Sequence, residues 1–257
     1  IKANETFHPV MLANPLDCER DFQRLNSASY DAEWKWDGIR VQLLIDNEEL
    51  QNTNRSPNRM FSRSGDDISS AFPDVIATLS GQAVLDGELL IGRPSDPEIE
   101  SPTTMYRDPQ PFNYLQQRLN RKHAARKHLL NLPAFVRVYD MLFDNNLDIR
   151  DLPLTTRRER LVSFLKRHDN PRLDLSETLA FDSWTVLAKL RTEGAEGFGH
   201  EGLMIKDRDS AYVAGRPKGP WFKWKRDPRV IDTVMMYAQR GHGRRSSYYS
   251  DFTLGIW

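Results

Sequence analysis

The chain of 257 residues is 39% hydrophobic and 28% charged, a balance that excludes a disordered segment and supplies enough length for a well-buried core. Its 36 basic and 36 acidic side chains cancel, so attraction to a polyanion must come from a local patch and not from the global charge. Cys18 is the sole cysteine, which excludes an intrachain disulfide and a cysteine-built zinc site. No apolar run approaches the ~20 residues that cross a bilayer, so a cytoplasmic protein without membrane contact is expected.

In chain order, the opening IKANETFHPV has no apolar stretch of the signal-peptide kind and begins with Ile, so a start cut from a longer chain is expected. Apolar, strand-like runs follow at Ile39 to Asp46 and Ala83 to Ile91. Gly92 to Pro111 holds five prolines and reads as a long surface loop. Leu115 to Leu132 has helical spacing, and Phe135 to Phe143 is again a strand. Thr156 with Glu159 matches a capping box that opens a helix through Lys166. Ser183 to Glu193 is a further helix with Gly194 at its C-cap, and strands are expected at Gly202 to Asp207 and Trp221 to Lys225.

Several of these strands are apolar on consecutive positions, which predicts packing on both faces. Strands and helices alternate without a βαβ rhythm, so the fold class expected is α+β on antiparallel sheets. The composition shifts after Pro228. A strand-like run from Val230, a basic Gly-rich stretch at 240–245 and a second strand near Tyr248 place a boundary near 229, dividing domain 1–229 from domain 230–257. The final DFTLGIW stops inside a strand-like run.

The chemistry is carried by charges set inside apolar runs. EWKWDGIR at 33–40 puts Lys35, Asp37 and Gly38 around and after two tryptophans. Alone, that pattern reads as a surface lysine paired with Asp37 at the mouth of a hairpin. LDGELL at 85–90 sets Asp86 and Glu88 in an apolar strand, and HEGLMIKD at 200–207 does the same with Glu201. In WFKWKRD at 221–227 the strand period of two puts Lys223 and Lys225 on one face and Phe222 and Trp224 on the other. Charged groups are rarely buried unless paired or used. A lysine nucleophile, acids for a divalent metal and a cationic pair together suit attack on a nucleotide phosphate.

These blocks, in this order and with FSRSGDD at 61–67 and VYDMLFD at 138–144, resemble the signature of the covalent nucleotidyltransferases, most closely the ATP-dependent DNA ligases of bacterial type. The ending MYAQRGHGRRSSYYSDFTLGIW resembles the opening strands of the oligonucleotide-binding (OB-fold) barrel that follows in such ligases. The resemblance implies a nucleotidyltransferase (adenylation) domain of antiparallel sheets flanked by helices, and then the start of an OB-fold. It implies that Lys35 takes AMP from ATP, that Glu33 accepts from the adenine amino group and that Tyr139 stacks on adenine, where the family more often has Phe. Arg40 and Arg63 would hold ribose or phosphate, and Arg63 later the 5′-phosphate of the nick. Glu88 and Glu201 would serve ribose binding and magnesium (or manganese), and Lys223 and Lys225 the α-phosphate. Asp37 belongs to the signature with a less defined role. ATP, a divalent metal and nicked double-stranded DNA are the implied cofactors and partner of a monomeric enzyme. The rival readings are an RNA ligase, a capping guanylyltransferase and a non-catalytic nucleic-acid-binding module.

Other signals carry less. Gly197, Gly199 and Gly202 spell G-x-G-x-x-G, but LMIKD after them reads as a strand, which argues against a dinucleotide site. His123 and His128 lie in a basic helix and read as solvated, and Met235 with Met236 reads as core. No acidic residue lies between Asp108 and Asp140, and from Arg216 to Arg245 nine basic residues face two acidic ones. Both stretches are candidates for phosphate contact.

Overall fold

The computed structural model describes residues 6–47, 58–94, 105–119, 126–194, 199–227, 231–243 and 246–256. Two compact units are present, residues 1–226 and 227–257, divided three residues before the boundary read from composition.

In the larger unit the strands are β1 (Asn14–Pro15), β2 (Tyr30–Trp36), β3 (Ile39–Asn47), β4 (Arg59–Ser62), β5 (Gly81–Ile91), β6 (Arg93–Pro94) and β7 (Met105–Tyr106). They continue as β8 (Ala134–Asp144), β9 (Leu147–Asp148), β10 (Leu173–Leu175), β11 (Thr178–Leu179), β12 (His200–Asp207) and β13 (Trp221–Lys225). The helices are α1 (Cys18–Arg24), α2 (Pro73–Ile76), α3 (Phe112–Leu119), α4 (Arg126–Asn131), α5 (Leu154–His168) and α6 (Trp184–Glu193). The five strongest strand readings of the sequence all correspond to strands here, with ends moved by at most two residues.

Two sheets carry the unit. One has the order β1-β13-β12-β2-β11 and the other β10-β8-β5-β3-β4, with β9 paired to β8. Neighbours are antiparallel except β1 with β13 and β8 with β10. The apolar runs follow from this layering. Leu85, Leu89, Val136 and Val138 face a core that Leu161 and Phe164 of α5 close from outside. Val84 and Leu142, on the opposite face, pack against Met11, Tyr212 and Trp221 and so join the two sheets. Phe222, Trp224, Leu203 and Ile205 turn outward from the first sheet onto Leu187 of α6. Fully burying one such side chain contributes roughly 1.5–3 kcal/mol. No helix among the described residues is long and apolar enough to cross a membrane.

The helices depart from the sequence reading in two places. The run expected at 115–132 opens earlier, as α3 directly after Pro111, where a fixed φ suits a first turn. It buries Leu115 and the Arg118–Asp74 pair; α4 covers 126–131, and Arg121, Lys122 and His123 lie outside the described residues. The Thr156–Glu159 capping box does not form. α5 starts at Leu154 after Pro153 without any side-chain cap, because buried Leu154 anchors its first turn and Arg208 O takes the Thr155 amide at 3.1 Å. Ser183 does cap α6, accepting from Val186 N–H. In the proline-rich loop, β6 and β7 pair as a short ribbon, and residues 95–104 lie outside the described ones.

The smaller unit is a ribbon of β14 (Val234–Arg240) and β15 (Tyr249–Gly255). Met235 and Met236, read as core, are 62% and 71% exposed. Within a two-stranded ribbon neither face has a second layer to bury it. Arg244 and Arg245 lie outside the described residues.

Candidate active site

Lys35 sits at the seam of the molecule. β2 belongs to the first sheet and β3 to the second, so Asp37-Gly38 is a crossover between sheets and not the hairpin mouth that the motif alone suggests. The passage is tight: a Cβ on Gly38 would lie 2.3 Å from Leu89 O, closer than any real contact, so only glycine fits. The Asp37 amide is fixed by Gly199 O at 2.8 Å. Lys35 and Glu33 therefore leave the end of one sheet while Arg40 enters from the start of the other.

Between them lies a cavity of about 400 Å³. All ten residues marked in the sequence line it: Glu33, Lys35, Asp37 and Arg40 from the crossover, with Arg63, Glu88, Tyr139, Glu201, Lys223 and Lys225 from five further segments. Met204, Lys206, Arg216 and Trp221 line it too.

Two bulges aim side chains into the cavity. On β8 the pairing slips between Asp86 and Gly87 of β5, leaving Tyr139 as the extra residue. On β12 it slips between His200 and Leu203, which projects Glu201. Gly202 makes that second bulge possible, with φ at +139° and no room for a Cβ, which would meet Trp224 O at 2.3 Å.

At one end Glu201 is held by both lysines. Its Oε1 accepts from Lys35, and its Oε2 accepts from Lys225 at 3.0 Å. Burial pushes the Glu201 carboxyl up, but these two hydrogen bonds together with the charges of the same two lysines outweigh it and leave the group below its ordinary value. Burial, then the charge of Glu201, raises Asp37. Lys223 is lowered, first by burial and then by Arg216, Lys225, Lys35 and Arg63 around it. That crowd of cations has one carboxylate in direct ion-pair contact among the described residues, an arrangement ready for anionic phosphates.

Deeper in, Glu88 is pushed up to about 8 by burial, partly offset by Lys35, Arg40 and the Gly38 backbone hydrogen bond. Arg40 crosses from Glu88 on the neighbouring strand to Asp86, which is fully buried. Arg40 Nε donates to Asp86 Oδ1 at 3.2 Å and another guanidinium nitrogen to Oδ2, while Arg40 also donates to Met11 O at 2.6 Å. The Tyr212 hydroxyl donates to Asp86 Oδ2 at 2.7 Å, and burial followed by the charge of Asp86 holds it well above its ordinary value. Asp86 thus fixes Arg40 and is not itself a lining residue.

At the other end Glu33 is almost fully buried. Lys206 Nζ donates to its Oε1 at 3.0 Å and Arg158 donates to the same oxygen at 3.1 Å. Lys206 also lies 4.4 Å from the Tyr139 ring centroid and 4.9 Å from that of Trp221, so an ammonium rests on two aromatic faces. Sequence reasoning marked neither Lys206 nor Arg158 as a site residue. A buried lysine at the apolar end of EGLMIKD was a usable signal for the first; no spacing links residue 158 to residue 33.

Among the described residues no three metal-ligating side chains cluster. Glu88 and Glu201 nonetheless match the one or two protein carboxylates that a magnesium ion takes when phosphate oxygens and water fill its other positions.

Comparison with known proteins agrees with the geometry. The family model of the ATP dependent DNA ligase domain matches residues 10–225. A probable DNA ligase of Koribacter versatilis (strain Ellin345) is 29% identical over 276 residues, covering 97% of this chain and 44% of that protein. The DNA ligase of Archaeoglobus fulgidus is 29% identical over 226 residues, covering 86% of this chain and 36% of that one. This chain thus spans less than half the length of either relative. Among solved structures, a mycobacterial DNA ligase D complexed with ATP and MES superposes with a TM-score of 0.61 at 22% identity, over 100% of this chain and 69% of that one. The Chlorella virus DNA ligase-adenylate gives 0.58 at 17% identity, over 90% and 74%. These two likenesses speak for a shared nucleotidyltransferase fold. With the family match running from β1 through β13, over the strands that line the cavity, the chain belongs to the ATP-dependent DNA ligase domain family.

Proposed function

We propose that this chain is the nucleotide-transferring part of an ATP-dependent DNA ligase and that Lys35 is its nucleophile. The observation that carries the reading is the convergence of Lys35 with carboxylates at one end and an excess of cations at the same mouth, all in one nucleotide-sized cavity. In the first step Lys35 Nζ attacks the α-phosphorus of ATP, a phosphoramidate bond forms and pyrophosphate leaves. The AMP then passes to the 5′-phosphate of a nick in double-stranded DNA, and the 3′-hydroxyl displaces it to seal the strand. Each step is phosphoryl transfer, so the protein's share is positioning and charge stabilisation.

The amine must be unprotonated to attack. Glu201 lies in contact with Lys35 and is the group at hand to accept that proton or to release the lysine as a nucleotide enters. Lys223 and Lys225 are assigned to the α-phosphate, Arg63 to phosphate, Arg40 and Glu88 to the ribose, Tyr139 to stacking on the base and Glu33 to its amino group. Asp37 is assigned to the phosphate end beside Lys35. Glu88 and Glu201 would hold magnesium, which would supply charge neutralisation at the phosphates. We place the small unit as the first two strands of an OB-fold domain. We take the enzyme to act as a monomer, and a chain with a single cysteine suits a reducing cytoplasm.

The test is covalent labelling with α-phosphate-labelled ATP and, separately, GTP, followed by peptide mapping. AMP on Lys35, absent in Lys35→Ala, is expected. Labelling of another lysine, or undiminished labelling of the variant, refutes the nucleophile. Labelling by GTP in preference to ATP refutes the adenylate reading in favour of a capping-type enzyme.

A further inference from the structure

We propose that Arg158 is a positioning residue for base recognition, holding the Glu33 carboxylate so that the cavity prefers a purine with an amino group at its edge over one with a carbonyl. The inference rests on the adenylate reading of the cavity and names what sets its choice of base.

Arg158 is on α5, which packs against the second sheet, while Glu33 is on β2 of the first. The guanidinium spans the gap. One nitrogen donates to Glu33 Oε1 at 3.1 Å, and another donates to the backbone oxygen of Ser176. Ser176 is fully buried and doubly tied: its amide donates to Val138 O at 2.8 Å, and its hydroxyl accepts from Trp36 Nε1 at 3.1 Å. The anchor of Arg158 is therefore rigid on both sides of the crossover. Lys206 reaches the same Glu33 oxygen from β12.

The consequence is in the oxygen that remains. Two donors fix Oε1 from two directions, so the carboxylate cannot rotate without losing one of them. Oε2 has no partner among the described residues, and Glu33 lines the cavity. A carboxylate only accepts. An exocyclic amino group can donate to it, whereas a carbonyl in the same place meets it oxygen against oxygen. An unmatched polar group in such a site discriminates far more strongly than a missing methylene does. Lys206 alone is a compact single amine on a flexible stem and leaves the carboxylate free to swing, whereas the planar fork of Arg158 serves Glu33 and Ser176 at once.

The experiment measures the rate of covalent nucleotide formation against ATP and against GTP concentration, in the wild-type chain, Arg158→Gln, Arg158→Lys, Glu33→Ala and Glu33→Ala/Arg158→Gln. For Arg158→Gln the half-saturating ATP concentration is expected to rise about tenfold and the ATP-over-GTP preference to fall about as much, with the maximal rate with ATP within about threefold. Arg158→Lys keeps the charge but cannot bridge both oxygens, so its preference also falls. In the Glu33→Ala background Arg158→Gln changes neither quantity further, because the residue acts through Glu33. If Arg158→Gln lowers the maximal rate alone, or has the same effect with and without Glu33, the residue is only a tie between sheets and the proposal is overturned. If Arg158→Gln does not fold, an unchanged preference in Arg158→Lys overturns it. A wild-type chain that takes up no nucleotide from either triphosphate overturns the adenylate reading itself, and the base-recognition role with it.

Discussion

Replacing Asp86 by Ala should cost far more than its size suggests. The side chain is fully buried and accepts two hydrogen bonds from Arg40 and one from the Tyr212 hydroxyl. The Arg40 side chain is only 15% exposed, so removing the carboxylate leaves its charge with little access to water. Breaking a buried pair from one side costs about 3–5 kcal/mol. The remaining contacts of Arg40 to Met11 O and Tyr212 place this case near the lower end. Against a typical total of roughly 5–15 kcal/mol that is a large fraction, and in a unit of this size it lowers Tm by about 6–15 °C. Removing both charges should hurt less than removing one. Asp86→Ala/Arg40→Met is expected within about 2 kcal/mol of wild type, since replacing both members of a buried ion pair by apolar side chains is often neutral. Urea unfolding of the wild-type, both single and the double variants measures this as a cycle. An Asp86→Ala cost under about 1 kcal/mol, or a double variant as unstable as the sum of the singles, would show that Asp86 does not hold Arg40 in place. In that event Arg40 would need another account of how it is presented to the cavity.

Two further outcomes follow from the same geometry. His200 is stacked on Trp34 at 4.0 Å and accepts from Arg226 at 3.0 Å, and burial, then the Arg226 charge, bring it down to about 4. A base depressed in the folded state is stabilising above its unfolded value near 6.5, and that contribution is lost as pH falls towards 4, by at most ~3 kcal/mol. Urea midpoints between pH 7 and 4 should therefore fall more steeply in wild type than in His200→Asn, and parallel curves would refute the link. Gly38→Ala should cost about 1–3 kcal/mol and slow Lys35 labelling more than tenfold, because the new Cβ must displace Leu89 O and tilt the crossover that carries Lys35. Labelling and urea curves like those of wild type would mean that the crossover tolerates a shift the contacts forbid.

Most of the fold was legible where burial and period coincide. β5 and β8 are apolar on consecutive residues because both faces are covered, one by α5 and one by the opposite sheet, and that pattern needs no long-range knowledge to read. The site was legible for the complementary reason: Asp86, Glu88 and Glu201 stand out as costly exceptions within those runs. What escaped was set by contacts across the chain. Thr156 and Glu159 satisfy a local capping rule, yet α5 opens at Leu154 because a buried leucine and a distant carbonyl settle its first turn. Met235 and Met236 satisfy a composition rule for core, yet their ribbon offers them no second layer.

The direction in which a site residue points is harder to read than its presence. On β8, counting by twos from core-facing Val138 puts Tyr139 on the cavity side while counting back from core-facing Met141 puts it in the core, and the one-residue slip against Asp86 and Gly87 decides between them. Glu201 depends in the same way on the slip before Leu203, which Gly202 permits. A bulge is a property of two strands, so neither strand's sequence contains it. The same holds for Arg158. As a local pattern it is one of three arginines in the first half of α5, and its neighbour Arg157 is wholly buried against Asp140. Its place in the site exists only because the Lys35 crossover brings β2 within reach of a helix that packs on the other sheet. The crossover therefore does two things at once. It delivers Lys35 to the cavity, and it brings the Glu33 carboxylate to a helix whose Arg158 holds it from across the seam.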